Sequence, residues 1–328
     1  MAKLPEIIAD LECCIRVNRP IFIWGEPGIG KSEAVAQVAA KRASAVTDIR
    51  LSTFDPVDLR GLPAIVDGLT KWMRPQIWPV DESRETILFF DEMDRAAPAV
   101  ANAALQIVLD RRIGEFVLPA SVRIVAAGNG ETDRRTTSKI GSAQANRFTH
   151  VYAEADAEMA ARHWDRVGVD AALSAFIRMR PELITTEQAK GEHGFGSPRA
   201  WAACDAFMAE EQAMRHRLCA GTVGSAPAGE LEAFLRIWKS LVPVSEIVRN
   251  PSGAPVPQPH EIGLVFAISG ALARKADHSN FAAVCTYAAR LPRDHEIAVV
   301  HNAVRRDATL KETAAYIDWA VRNQDVQL

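Results

Sequence analysis

The eight residues Gly25-Glu26-Pro27-Gly28-Ile29-Gly30-Lys31-Ser32 constrain this chain more than any other stretch. They fit the pattern GxxxxGK[ST] in full. Four apolar, β-prone residues, Ile21-Phe22-Ile23-Trp24, come directly before them, and a helical pattern over residues 32–42 follows. Strand, glycine-rich turn and helix in that order predict the first unit of a parallel α/β sheet. The glycines let the backbone curl so that several N–H groups point at one anion, and the helix N-terminus adds positive potential. In such a loop Lys31 reaches the β- and γ-phosphates of a nucleotide, and Ser32 is the ligand for Mg²⁺.

A phosphate loop needs a second metal-side carboxylate on a neighbouring strand. The run Ile87-Leu88-Phe89-Phe90-Asp91-Glu92 supplies one, because four apolar residues bury the strand and Asp91 emerges at its C-terminal end. Asp91 is the expected metal-side acid and Glu92 the expected base for an attacking water. The next apolar run, Val125-Ala126-Ala127-Gly128-Asn129, puts the Asn129 amide at a strand end, where it could hold that water. Arg147, in Ala145-Asn146-Arg147-Phe148, stands just before the last strand pattern. Charge developing on a transferred phosphoryl group favours an arginine there, contributed from a neighbouring subunit. Arg134 and Arg135 are rival candidates. Arg199 follows Ser197 and Pro198, which read as N-cap and first helical residue. A cation in a first turn opposes the helix dipole, which makes sense if Arg199 must meet an anion.

Further strands are expected over residues 47–51, 86–90, 122–127 and 149–152. A helix is expected over residues 99–111. Beyond about residue 155 the pattern turns helical, over 157–166, 171–178, 198–217, 231–241, 262–275 and 310–323. Residues 221–229 read as a loop and the proline-rich residues 250–259 as a semi-rigid linker. The expected fold is an α/β three-layer core with a parallel sheet (residues 1–154), then an all-helical lid (155–220) and a helical C-terminal extension (221–328). The 328 residues are 48% hydrophobic and 24% charged, which excludes disorder and collagen-like or low-complexity arrays. A formal charge of -3 gives no global basic field, which disfavours nucleic acid as the partner. The five cysteines show no metal-binding spacing and suit reduced thiols in a cytosol. Acids within the first apolar stretch exclude a signal peptide, and no apolar run approaches the ~20 residues of a membrane span. A cytoplasmic protein is expected.

With these motifs in place, the chain resembles an AAA+ ATPase of the MoxR type, from about residue 20 to about residue 215. Gly25 to Ser32 resembles Walker A, and Leu88-Phe89-Phe90-Asp91-Glu92-Met93-Asp94-Arg95-Ala96 resembles Walker B with its continuation. Asp55-Pro56-Val57-Asp58-Leu59-Arg60-Gly61 is similar to the family's Asp-Leu-x-Gly segment, and residues 113–119 to its hairpin before sensor 1. Asn129 falls at sensor 1, Arg147 at the arginine finger and Arg199 at sensor 2. The loop ends in Lys-Ser where Lys-Thr is common, Asn146 stands where Asp is usual, and residues 221–328 fall outside the resemblance.

The resemblance implies ATP bound with Mg²⁺ between subunits of a ring, usually a hexamer, with Arg147 acting in trans. It also implies remodelling of a protein client, often with a von Willebrand A domain partner. In such rings the stretch containing Trp72 and Trp78 can face the pore, where either indole could grip a client; core packing or a subunit contact are the other roles open to them. A DNA-acting ATPase of the same hairpin-bearing group is the alternative. The hairpin stretch counts against it, with Glu115 among otherwise apolar residues. A GTPase would need an Asn-Lys-x-Asp motif, which the chain lacks.

Overall fold

The computed structural model describes residues 2–113, 116–129, 146–239 and 242–324. The chain divides into two compact units, Met1–Ala155 and Asp156–Leu328. The first holds strands β1 (Ile21–Trp24), β2 (Ala45–Arg50), β3 (Leu62–Val66), β4 (Leu69–Met73), β5 (Thr86–Asp91), β6 (Arg112–Ile113), β7 (Phe116–Val117), β8 (Val122–Gly128) and β9 (Thr149–Tyr152). Five of them form one sheet in the order β2-β5-β8-β1-β9, with every pairing parallel. The remaining four form two antiparallel hairpins, β3–β4 and β6–β7. The helices of this unit include α1 (Leu4–Arg16), α2 (Lys31–Arg42), α3 (Pro56–Arg60) and α4 (Pro98–Asp110).

The period of two along each central strand divides the unit into two cores. Ile21 and Ile23, Ile87 and Phe89, Val125 and Ala127 point one way. They pack on Ile7, Leu11 and Ile15 of α1 and on Val35 and Val38 of α2. Phe22, Leu88, Phe90, Ile124 and Ala126 point the other way, onto Val100, Ala104 and Ile107 of α4. A strand covered on both faces must be apolar at every position, which explains the unbroken run from Ile87 to Phe90. In β5 the polar residues are therefore displaced to the strand ends, and Asp91 stands at the C-terminal one.

The structure decides one open expectation and corrects others. Trp78 is 1% exposed, and its Nε1–H donates to the Leu59 carbonyl at 2.9 Å. It is a core residue and grips nothing outside the chain. Residues 221–229 are not a loop. Helix Gln212–Val223 ends at Gly224, φ +95°, and helix Ser225–Lys239 starts at once. Pro227 is tolerated because it lies in the first turn, where its missing N–H has no helical partner to lose. Residues 198–217 are not one helix. The α-helix stops at Ala203, a 3-10 turn spans Cys204–Phe207, and Gln212 restarts the helix. The Asp205 carboxylate within that turn accepts from the Asp170 backbone N–H at 2.7 Å, a tertiary bond that competes with helix continuation.

The proline-rich stretch is bound to the helical core. Tyr287 Oη donates to the Pro255 carbonyl at 2.6 Å, Arg290 to that of Pro251 at 2.7 Å, and Ala254 is buried. A third side chain interaction ties two helices together: Arg215 and Glu232, both buried, meet through two parallel hydrogen bonds of 2.7 and 2.8 Å. α1, the β3–β4 hairpin and helices Val244–Arg249, Phe281–Ala288 and Arg293–Arg306 carried no assignment from sequence spacing. No helix among the described residues is long and apolar enough to cross a membrane. All five cysteines are free.

Candidate functional site

Three strand ends build the site. β1 runs into the glycine-rich loop, its neighbour β8 ends at Gly128 and is followed by Asn129, and β5 ends at Asp91. The register sets Trp24 beside Gly128, so loop and amide leave the sheet side by side. The Gly25 N–H still donates to the Gly128 carbonyl, at 3.2 Å. A Cβ at Gly25 would come within 2.4 Å of Ile29 Cδ1 and 2.8 Å of the Ala153 carbonyl oxygen, so only glycine fits. Gly30 opens α2 at φ +99°, a left-handed conformation that costs a side chain-bearing residue roughly 1 kcal/mol or more. Between them Glu26 is exposed, and Pro27, Gly28 and Ile29 are half-buried.

Lys31 is buried at the base of the loop. Its ammonium donates to the carbonyls of Gly25 at 2.6 Å and Glu26 at 2.9 Å, and to Asn129 Oδ1 at 3.0 Å. The Asn129 backbone N–H in turn donates to Asp94 Oδ2 at 3.0 Å, and Asp94 is 1% exposed. A buried carboxylate therefore holds the asparagine, and the asparagine holds the lysine. This places a cation beside a ring of curled backbone, the arrangement that accepts a polyphosphate.

Ser32 is exposed in the first turn of α2, and Asp91 is half-buried at the end of β5. Asp91 Oδ1 accepts from the Glu92 backbone N–H at 2.9 Å. Glu92 itself sits at φ +52°, left-handed without being glycine, and its carboxylate accepts from Ser52 Oγ and lies 3.9 Å from the Arg50 guanidinium. Strain of this kind persists only where its surroundings enforce it and collects at functional sites. Asp48 lies near Asp91; desolvation first, and then the Asp91 charge, push its carboxyl above the usual range. One hydroxyl and one carboxylate suit Mg²⁺, which keeps its other positions for substrate phosphates and water.

Arg147 is half-buried in the turn before β9 and makes no hydrogen bond or ion pair among the described residues. Phe148 beside it is buried against Phe22. Arg199 is exposed in the first turn of helix Pro198–Ala203, in the second unit, and Ser197 Oγ caps that helix by accepting from the Ala200 N–H at 3.1 Å. Arg134, Arg135 and the hairpin residues Gly114 and Glu115 lie outside the described residues.

The structure thus brings together Lys31 and Asn129 by direct contact, and Asp91 with Glu92 at the end of β5. Arg199 stands in the other unit. Sequence reasoning missed Asp94, Ser52 and Arg50. Arg50 and Ser52 become neighbours of Glu92 only through the register, which pairs Arg50 with Asp91. Asp94 gave no signal beyond being an acid near a strand end, because its role depends on β8 lying next to β5.

Residues 20–148 match the profile described as AAA domain (dynein-related subfamily). No curated protein matches the chain. Among solved structures, a proposed ATPase from Cytophaga hutchinsonii is 14% identical, covers 99% of this chain and 90% of its own, and superposes with a TM-score of 0.40. The RuvB Holliday junction branch migration motor of Thermotoga maritima is 14% identical over 77% of each chain, TM-score 0.37. NtrX from Brucella abortus in complex with ADP is 15% identical over 98% of this chain and 68% of its own, TM-score 0.36. All three likenesses are remote. The matched span, residues 20–148, is similar to AAA domains and includes the glycine-rich loop, the end of β5, Asn129 and Arg147.

Proposed function

We propose that this AAA ATPase domain hydrolyses Mg-ATP at sites shared between neighbouring copies in a ring, hexameric as in the MoxR-type proteins it resembles, and spends the cycle on remodelling a protein client. One observation carries the ATP reading: Asp94, Asn129 and Lys31 form a buried chain of hydrogen bonds that ends at the phosphate loop. In this reading residues 25–30 wrap the phosphates with backbone N–H groups and Lys31 exchanges a carbonyl contact for phosphate oxygens. Ser32 and Asp91 hold Mg²⁺, which when bound neutralises charge between the β- and γ-phosphates.

Glu92 takes the proton of the attacking water, and Asn129 orients that water in line with the γ-phosphorus. Glu92 accepts a hydrogen bond from Ser52 on one carboxylate oxygen, which leaves lone pairs free to take the proton of water. Arg147 reaches the γ-phosphate of the neighbouring copy, and the lack of a hydrogen bond or ion pair to it among the described residues suits that task. Arg199, on a lid formed by residues 155–220, meets the same charge and converts hydrolysis into lid movement. The MoxR resemblance supports a protein client, with a von Willebrand A domain protein as one form of partner, acting in the cytoplasm.

The test is ATP turnover measured against protein concentration, for the native chain and for Arg147→Ala. Specific activity rises with concentration, because each site needs its neighbour. Arg147→Ala loses about 10³-fold in turnover and binds ATP within about twofold of the native chain. An Arg147→Ala chain that hydrolyses at full rate overturns the shared site. For the client, Glu92→Gln held in ATP retains a bound protein on affinity capture; strong stimulation of hydrolysis by DNA instead overturns the protein-client reading.

A further inference from the structure

We infer that Trp24 and His150 are positioning residues for Arg147. The inference rests on the reading that Arg147 serves the neighbouring copy. Trp24 Nε1–H donates to His150 Nδ1 at 2.8 Å, and the two rings are stacked with centroids 6.0 Å apart. Phe22 stacks on Trp24 at 4.1 Å and meets Phe148 edge to face at 5.4 Å. Phe148 also meets the His150 ring at 6.2 Å. The turn that carries Arg147 is thus gripped on the Phe148 side by an aromatic cluster of four rings.

On its other side, Arg19 donates to the Asn146 carbonyl at 3.3 Å. The Thr149 N–H donates to the Pro20 carbonyl at 2.8 Å. All of these anchors come from residues 19–24, the segment that runs directly into Gly25. The phosphate loop and the turn of Arg147 therefore share one support. An indole N–H can only donate, so the hydrogen bond requires Nδ1 of His150 to be an acceptor. The pair has one arrangement, and the stacked rings hold it. Without it, the aromatic cluster loses a directional side-chain bond that adds to the β1–β9 ladder in setting how the preceding turn sits on β1. A displacement near 1 Å of a group that must meet a phosphate in a neighbouring copy is enough to cost one to two orders of magnitude in rate.

Three substitutions separate this role from simple packing. His150→Ala removes ring and bond, Trp24→Phe keeps a ring and removes the N–H, and His150→Asn keeps an acceptor close to the place of Nδ1. His150→Ala and Trp24→Phe are expected to lower kcat about tenfold and to leave KM and ATP affinity within about twofold, with His150→Asn restoring kcat to within about threefold of the native chain. The deciding measurement mixes subunits. Glu92→Gln chains cannot hydrolyse but still lend an intact Arg147. Added in excess, they raise turnover per His150→Ala chain at least threefold, whereas Arg147→Ala chains added in the same way do not. Unchanged kcat in His150→Ala, loss confined to KM, or absence of this complementation overturns the assignment. Arg147→Ala at full rate, measured alongside, overturns the shared-site reading and this inference together. If His150→Ala fails to fold by circular dichroism, Trp24→Phe carries the same mixing experiment.

Discussion

The phosphate loop and the β3–β4 hairpin are both short excursions from the first unit's sheet, and they are built in opposite ways. In the loop the polar groups are answered inside the chain. Lys31 is buried against two carbonyls and Asn129, and Asn129 is held by buried Asp94. The hairpin shows apolar groups to the outside: Leu62, Ile65, Leu69, Trp72 and Met73 are between 52% and 83% exposed. Paired positions share a face, so Leu62 and Met73 stand on one side, Pro63 and Trp72 on the other. Neither face is covered. A two-stranded hairpin with no covered face gains little from its side chains. The loop's residues are therefore held within one chain, and the hairpin's apolar side chains are not.

The largest expected effect tests the loop. Lys31→Ala lowers ATP turnover and binding at least about 100-fold, read by turnover and by a fluorescent-nucleotide titration, and leaves the circular dichroism spectrum native. Retained binding would break the contrast at its centre. Gly25→Ala comes next. Its Cβ would overlap Ile29 and the Ala153 carbonyl, so urea denaturation should show a loss of about 2–3 kcal/mol. An unchanged midpoint would mean the loop is not closely packed.

A third prediction concerns Glu85, at the foot of β5, which accepts from Arg42 at 2.8 and 2.9 Å and from Ser44 Oγ at 2.7 Å. The Arg42 bonds, then Ser44 and the Arg123 charge, hold the Glu85 carboxyl below its usual range. A carboxylate depressed in the folded state adds stability above its ordinary range, and that stability is lost as pH falls through the depressed value. Glu85→Gln should therefore cost about 1.5 kcal/mol near pH 7, with the difference from the native chain vanishing in acid. Thermal melts across pH read it; a pH-independent difference would reject the ion-pair account. The smallest effect belongs to the hairpin. Trp72→Ser combined with Ile65→Ser should shift stability by no more than about 0.5 kcal/mol, because both side chains are more than half exposed. A larger loss in urea denaturation would show that the hairpin is packed against something.

Legibility in the sequence followed how local each feature is. The loop was readable because its chemistry is carried by consecutive residues. Glu92 and Asn129 were readable because each ends an apolar run. Ser52, Arg50 and Asp94 were not, since nothing in their own neighbourhoods marks them; they act on Glu92 and Asn129 only after three strands align. Trp78 shows what spacing leaves open. Its stretch allowed a client contact, a subunit contact or core packing, and the Leu59 carbonyl and the α4 face of the sheet bury it. In the second unit, Gly224 and Pro227 looked like loop residues, but one glycine suffices to end a helix and a proline in a first turn does not prevent the next.

By itself the sequence determined a phosphate loop after a strand, an acid pair ending a fully buried strand, and a helical second half. These are properties of local backbone and of two-residue and helical periodicity, which neighbours along the chain dictate. Only the tertiary structure decided that Asp94 holds Asn129, that Ser52 engages Glu92, and that Trp24 donates to His150 across β1 and β9. Those contacts join residues 35, 40 and 126 positions apart. Their partners are chosen by the strand order β2-β5-β8-β1-β9, which no local pattern contains.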